Sequence, residues 1–200
     1  MIPTRRRVFA IIFASAGLLA LSLPVFLGSL FIYAQTSESL LFWQTRLGYN
    51  GQTVQIPKIR TLYSEGQHNY PIGGRLLRKL HLDELPQLYL VLIGEMHVVG
   101  PRPFCLREAH DFLEQYPESM QRYTVKPGLT GLAQVNGLSA ETQEQTLKYD
   151  LEYCQSNSLT LDLETTVRQL IIVAYDAFLY AEELLSMIST YTISFESDFT

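Results

Sequence analysis

The apolar and polar positions of this chain change character along its length. After Arg5, Arg6 and Arg7, no charged residue occurs from Val8 to Ala34. That run exceeds the roughly 20 residues a membrane-spanning helix needs. Ser22-Leu23-Pro24 interrupts it near the middle; a proline removes one helical hydrogen bond and bends the axis, and Ser22 can satisfy a freed carbonyl. On pattern alone the segment is an ordinary kinked spanning helix or one that enters and leaves by the same face. A run this long and proline-broken, with a poor small-residue site around Ala34, is not read as a cleaved signal peptide. The three arginines belong on the cytoplasmic side, against anionic headgroups.

Beyond a polar hinge at Gln35 to Glu38, shorter periods take over. Leu41-Phe42-Trp43 reads as an interfacial anchor. Asn50-Gly51 marks a hairpin turn with Thr53 to Ile56 as the returning strand. Gly74 to Leu80 is a short helix carrying Arg75, Arg78 and Lys79. Pro86, tolerated only in a first helical turn, predicts a helix that starts near Asp83 to Leu85, runs through Ile93 and stops at Gly94. Met96 to Val99 suits a buried strand. Phe104 to Tyr123 is predicted to be one packing helix, with Phe112, Leu113 and Tyr116 on one side. Glu144 to Tyr153 and Leu163 to Ile188 complete the helices. The last is apolar at Leu170, Ile171 and Phe178 but carries Asp176, Glu182 and Glu183, charges that argue against a span and for a helix covering the core or lying in the interface. The tail after Thr190 is expected to be loosely ordered.

The chemistry concentrates between His81 and Phe104. Asp83 and Glu84 fall at a helix N-terminus, where unpaired amides and the dipole favour an ionised carboxylate or a bound phosphate. An ionised Asp is a usable nucleophile. In Gly100-Pro101-Arg102-Pro103 two prolines fix the backbone around a guanidinium, whose planar fork suits a phosphate. Two adjacent carboxylates form a hard, oxygen-only site suited to Mg²⁺ bridging to substrate phosphates. Taken singly, Asp-Glu before Pro serves as a helix cap and Pro-Arg-Pro as a stiff surface loop; together they point to phosphoryl chemistry. Lys58 and Arg60 share one face of an extended segment, where they meet a diphosphate, or else solvent or lipid phosphates. Arg75, Arg78 and Lys79 lie just before the two carboxylates, where they would hold Asp83 ionised and neutralise a phosphate, or else are surface charges of an amphipathic helix, the reading that suits Lys79.

Composition narrows the class. Two hundred residues suit one domain with a modest core, and 47% apolar content exceeds what a soluble domain needs. A net charge of −5, with no basic patch beyond the N-terminal arginines, argues against nucleic acid. Cys105 and Cys154 have no metal-ligand spacing and read as free thiols. Lys126 to Gly131 and Ala133 to Gly137 are turn-rich but match neither a Walker loop nor a dinucleotide fingerprint. Backbone amides there, with Gln134 or Asn136 as side-chain donors, could cradle phosphate or uracil; a structural turn explains them equally.

The run LRKLHLDELPQLYLVLIGEMHVVGPRP resembles the signature LRxxSLDELPQLxNVLxGDMSxVGPRP of the bacterial sugar transferases, the monotopic polyprenyl-phosphate phosphoglycosyl transferases. FWQTRLGYNGQTVQIPKIRT upstream and VKPGLTGLAQVNG downstream are similar to that family's flanking motifs, in the same order. The resemblance implies an α+β, mainly helical fold. Residues 1–36 would form a re-entrant membrane helix broken at Ser22 and Pro24, and residues 37–200 a small cytosolic catalytic domain with interfacial helices and a short sheet. It implies transfer of a sugar-1-phosphate from a UDP-sugar to polyprenyl (undecaprenyl) phosphate at the cytosolic face of the bacterial inner membrane, initiating glycan assembly and releasing UMP. Asp83 would be the nucleophile and Glu84 its metal or proton partner, with Mg²⁺ as cofactor. Lys58, Arg78 and Arg102 would bind phosphate, and Arg60, Gln134 and Asn136 the nucleotide-sugar. A second copy or later glycosyltransferases would be the protein partners.

Three departures qualify that expectation. Val8-Phe9-Ala10 stands where the family has an Asp, His81 replaces a serine, and Leu62 to Gly74 is shorter than the family's insert. His68, within that short segment, is assigned no role. These departures motivate a rival from another class, an inactive relative acting as a membrane scaffold or regulator of a glycan-assembly complex. A membrane-anchored phosphohydrolase is a third reading.

Overall fold

The computed structural model describes residues 3–63, 70–138 and 142–197, with side chains along the last helix described to Ser186; His68 lies outside the described residues. The first helix, α1 (Thr4–Thr36), is about 50 Å long at the α-helical rise. It continues through Ser22 and Pro24, which corrects the expected break. One proline removes a single backbone hydrogen bond, while Ala14, Val25 and Ser29 on either side stay buried.

The buried residues Arg6, Ala10, Ala14, Val25, Ser29 and Ile32 recur at helical spacing, so one face of α1 lies against the rest of the protein. Gly17 falls on the same face, where an added Cβ would sit 2.9 Å from Leu88 Cδ1. Both ends are tied to the domain: Arg6 bonds Asp162, and the Gln35 side chain exchanges two hydrogen bonds with the backbone of Ile72. The opposite face leaves Ile12, Leu19, Leu23 and Phe26 exposed. With that face α1 is long and apolar enough to cross or enter a membrane.

The arginine triplet divides its work. Arg6 is buried, Arg7 caps the carbonyls of Val91 and Leu92, and Arg5 is exposed. Of the three, Arg5 alone stays exposed, because burying Arg6 among acceptors satisfies its charge internally and Arg7 turns to backbone carbonyls.

Two small two-stranded sheets follow. Strands β1 (Leu41–Leu47) and β2 (Thr53–Ile59) form an antiparallel hairpin in which Phe42 faces Lys58 and Arg46 faces Val54. Its turn places Asn50 and Gly51 at positive φ, a region these two residue types tolerate best. Strand β3 (His97–Val99) pairs in parallel with β4 (Gly128–Thr130). Gly128 is required there, since a Cβ would stand 2.1 Å from the Gly100 nitrogen. Ile56, Leu88, Leu90, Val91, Met96 and Val98 form the core between these strands and α1.

The helices follow: α2 (Gly74–Lys79), α3 (Leu88–Ile93), α4 (Leu106–Gln115), α5 (Leu132–Val135), α6 (Gln143–Ser156) and α7 (Leu159–Ser197). The helix expected from Asp83 starts as a 3-10 segment, Leu82–Gln87, entered through His81 in the left-handed region, and becomes α only at Leu88. Gly94 ends it at positive φ, as its lack of a Cβ permits. The single helix expected over Phe104 to Tyr123 is divided. Pro117 ends α4 and opens a 3-10 segment to Thr124, because proline cannot donate the next helical bond. Helix α7 extends past Thr190 to Ser197, where a loose tail was expected. Its exposed residues include Val167, Leu170, Ile171, Tyr175 and Phe178, a second apolar face.

Candidate active site

A pocket of about 580 Å³ opens beside the β1–β2 hairpin. β2 supplies Lys58 and the residue after it, Arg60; α2 supplies Arg78; the 3-10 segment supplies Asp83 and Glu84; and the loop after β3 supplies Arg102. The structure thus gathers every phosphate-binding and catalytic residue named from the sequence. Arg75 and Lys79 point elsewhere, pairing with Glu183 of α7 at 2.9 and 2.8 Å.

Local folding explains the placement. The left-handed turn at His81 redirects the chain from α2 so that Asp83 and Glu84 occupy the first 3-10 turn. Gly100 N donates to Thr130 O at 2.9 Å and Gly128 N donates to Pro101 O at 3.1 Å, anchoring the Pro-Arg-Pro loop to β4. A residue the sequence reading passed over completes the clamp. Arg122, buried and stacked 3.8 Å over Phe104, donates to Arg102 O at 2.9 Å and pairs with Asp150 at 2.7 Å. Arg102 therefore has its backbone fixed while its side chain remains about two-fifths exposed. A donor held in this way loses little conformational entropy on meeting an anion.

The two carboxylates are electrostatically unlike. Lys58 Nζ lies 2.6 Å from Glu84 Oε1, and Arg102 Nη2 lies 3.5 Å from the same oxygen. Burial works against ionising Glu84, but Arg102 and Lys58 together hold it below the usual glutamate range. Asp83 is only 8% exposed, and among the described residues nothing donates a hydrogen bond to its carboxylate. Burial first, and then the charge of Glu84, push it up to about 6, against the opposing influence of Lys58, His81 and Arg78. The result is a carboxylate poised between protonated and ionised forms near neutral pH, next to one that stays charged.

The remaining predicted residues are arranged less uniformly. Arg60 lines the pocket, 5.8 Å over the Phe42 ring and 3.3 Å from Glu38. Asn136 donates to Leu132 O at 2.7 Å, and Gln134 lines a separate apolar slot; neither is among the residues of the polar pocket. Ser22 and Pro24 are exposed on α1, away from it. A buried cluster of Arg6, Asp162 and Tyr153 was also missed, and it matters here because Tyr153 Oη donates to Val99 O at 2.6 Å, directly before the Arg102 loop. Its signal was available: Arg6 falls on the spacing of Ala10, Ala14 and Gly17, so a charge occupied a core-facing position.

Residues 3–176 match the profile of a family described as bacterial sugar transferase. The chain belongs to that family. This sugar transferase is 38% identical over 184 residues to the UDP-glucose:undecaprenyl-phosphate glucose-1-phosphate transferase of Caulobacter vibrioides, covering 84% of this chain and 68% of that relative. It is 35% identical over 170 residues to the protein of the same name from Klebsiella pneumoniae, covering 76% of this chain but 37% of that longer relative. With the exopolysaccharide production protein ExoY of Sinorhizobium fredii it shares 33% identity over 186 residues, 79% of this chain and 80% of the relative.

A divalent cation is compatible with the donors this sugar transferase presents. Among the described residues no group of three or more His, Cys, Asp or Glu comes together. A full protein cage is therefore absent from them, yet Mg²⁺ is commonly held by one or two carboxylates together with substrate phosphates and water. The repulsion from Glu84 that raises Asp83 is the kind a bound cation relieves.

Proposed function

We propose that this sugar transferase moves a sugar-1-phosphate from a UDP-sugar to undecaprenyl phosphate, releasing UMP, at the cytosolic face of the bacterial inner membrane. The observation that carries the reading is Asp83: a buried carboxylate with no hydrogen-bond donor among the described residues, in a pocket also lined by Lys58, Arg78 and Arg102. The names of the Caulobacter and Klebsiella relatives support both substrates.

In the first half-reaction an Asp83 oxygen attacks the phosphorus bonded to the sugar. A P–O bond forms to Asp83, the P–O bond to the UMP oxygen breaks, and UMP leaves carrying the electron pair. Lys58, Arg78 and Arg102 orient the diphosphate and stabilise charge on its oxygens. In the second, a phosphate oxygen of the polyprenyl acceptor attacks the same phosphorus, and Asp83 departs as carboxylate. Glu84, held ionised, keeps Lys58 and Arg102 in place. Mg²⁺ held by Asp83 and Glu84 would supply further charge neutralisation for the diphosphate.

The placement at the membrane rests on α1, which is apolar enough to enter a bilayer yet meets the domain at both ends. An unbroken helix secured at both ends to one domain fits a position along the interface of one leaflet better than a crossing, which would carry one end far from that domain, or a re-entrant turn, which needs a break the helix lacks.

The test is UMP release by the full chain reconstituted in bilayers with undecaprenyl phosphate and Mg²⁺, across a panel of UDP-sugars. Lipid-dependent release with at least one donor is expected. Folded, membrane-bound protein that releases UMP from none would favour a scaffold role.

A further inference from the structure

The polar pocket does not end at the carboxylates. Glu84 and His81 also line a second cavity, an apolar slot of about 200 Å³ between α1, α3 and α7. Its walls are Gly17 and Leu21 of α1, Leu85 and Leu88 beside the dyad, and Leu170 and Val173 of α7. Gly17 brings α1 close, since a Cβ there would meet Leu88 at 2.9 Å. Leu21 and Leu170 are exposed, so the outer rim of the slot continues into the uncovered apolar faces of α1 and α7. One end is thus lined by ionisable groups and the other by groups that prefer hydrocarbon.

We propose that this slot binds the isoprenoid chain of the acceptor lipid at the units next to its phosphate. The lining fits an occupant with a long apolar tail whose head lies at the Glu84–His81 end. The head's negative charge would be met not by Glu84 but by Lys58 and Arg102, which pair with Glu84 from the polar pocket, and the tail would run between α1 and α7 into the bilayer without crossing water. Apolar walls stabilise such a chain in proportion to the area removed from water. Thr130, Gln134, Thr166 and Gln169 also line the slot, but its surface is mainly apolar and disfavours the charged diphosphate of the donor, which the cations of the polar pocket suit better. Two substrates of opposite character therefore reach one aspartate from two sides. The inference rests on the proposed transfer reaction and adds where its lipid substrate lies.

Two experiments on the membrane-reconstituted full chain test it. Val173→Trp fills the slot from α7, and Val167→Trp, on the same helix but outside the slot, is its control. Filling the slot is expected to raise KM for undecaprenyl phosphate by at least about tenfold more than KM for the UDP-sugar, with the control resembling wild type. Equal effects on both substrates, or none on the acceptor, would overturn the assignment. The second experiment uses farnesyl phosphate bearing a diazirine on its chain, with the Asp83→Asn protein, so that binding is read without chemistry. Label is expected on the peptides containing Gly17 to Leu21 and Leu170 to Val173. Label found only elsewhere would sink the slot. Label in the slot of a protein whose wild type releases no UMP would keep the slot and discard the transfer reaction.

Discussion

Asp162 and Asp83 are both buried aspartates, and they are treated in opposite ways. Asp162 accepts from Arg6 Nε at 2.6 Å and from Arg6 Nη2 at 3.1 Å, and Tyr153 Oη, 2.8 Å away, shares its one proton between Asp162 and Val99 O. Asp83 accepts no hydrogen bond among the described residues and is pushed up to about 6. A buried carboxylate whose lone pairs are answered by a cation and a hydroxyl holds structure together, here tying the start of α1 to α7 and, through Tyr153, to β3. A buried carboxylate left without donors holds free energy in reserve for a ligand or a reaction.

Substituting each aspartate should separate the two roles. Asp83→Asn is expected to lower transfer activity by at least about a thousandfold, since an amide oxygen is a poor nucleophile. The same variant should melt higher than wild type at pH 7, by up to about 3 kcal/mol in stability, read by thermal unfolding in detergent. The sign follows from the raised pKa: the folded protein holds this proton more tightly than the unfolded chain, so the contribution is complete below about pH 4 and is lost as pH rises through about 6. A destabilised Asp83→Asn would break the comparison.

Asp162→Asn should behave in reverse. It leaves Arg6 buried with its charge partner removed, which costs about 3–5 kcal/mol. Folded protein recovered at low temperature should keep much of its activity per molecule. An unchanged melting temperature would show that the cluster is not structural.

A smaller effect is expected at the clamp. Arg102→Lys keeps the charge but loses the planar fork, and should lower kcat/KM for the UDP-sugar by about 10–100-fold while leaving the melt unchanged. Smallest of all is a shift of titration. With no divalent cation bound, Asp83 should titrate at about 6, read by difference infrared spectroscopy of its carboxyl, and Lys58→Met should move that titration to higher pH, because Lys58 favours the charged form. An Asp83 that titrates in the ordinary aspartate range in the metal-free protein would contradict the contrast with Asp162.

How far the sequence revealed this depends on whether a feature is local. Asp83, Glu84 and Arg102 stood out because each sits in a short motif with its own backbone logic, a proline at a helix start or prolines flanking an arginine, whereas strand alternation left Lys58 open between substrate and solvent and the family resemblance assigned it. The hairpin at Asn50-Gly51 was legible for the same reason. Long-range features were not. The pairing of Arg6 with Asp162 spans 156 positions, and the Arg122 support for the Arg102 loop depends on α6 folding back across it. The break at Pro117 was overlooked because the apolar spacing of Phe112, Leu113 and Tyr116 continues up to it. Gln134 and Asn136 sit in a motif that locates them in sequence but not the side of β4 they fall on.

The most direct measurement is intact-protein mass after incubating the chain with a turned-over UDP-sugar and Mg²⁺ in the absence of lipid acceptor, followed by peptide mapping. The account predicts one added phosphosugar, mapped to Asp83, that disappears when undecaprenyl phosphate is supplied. An active enzyme that carries no adduct, or carries it on another residue, would contradict it.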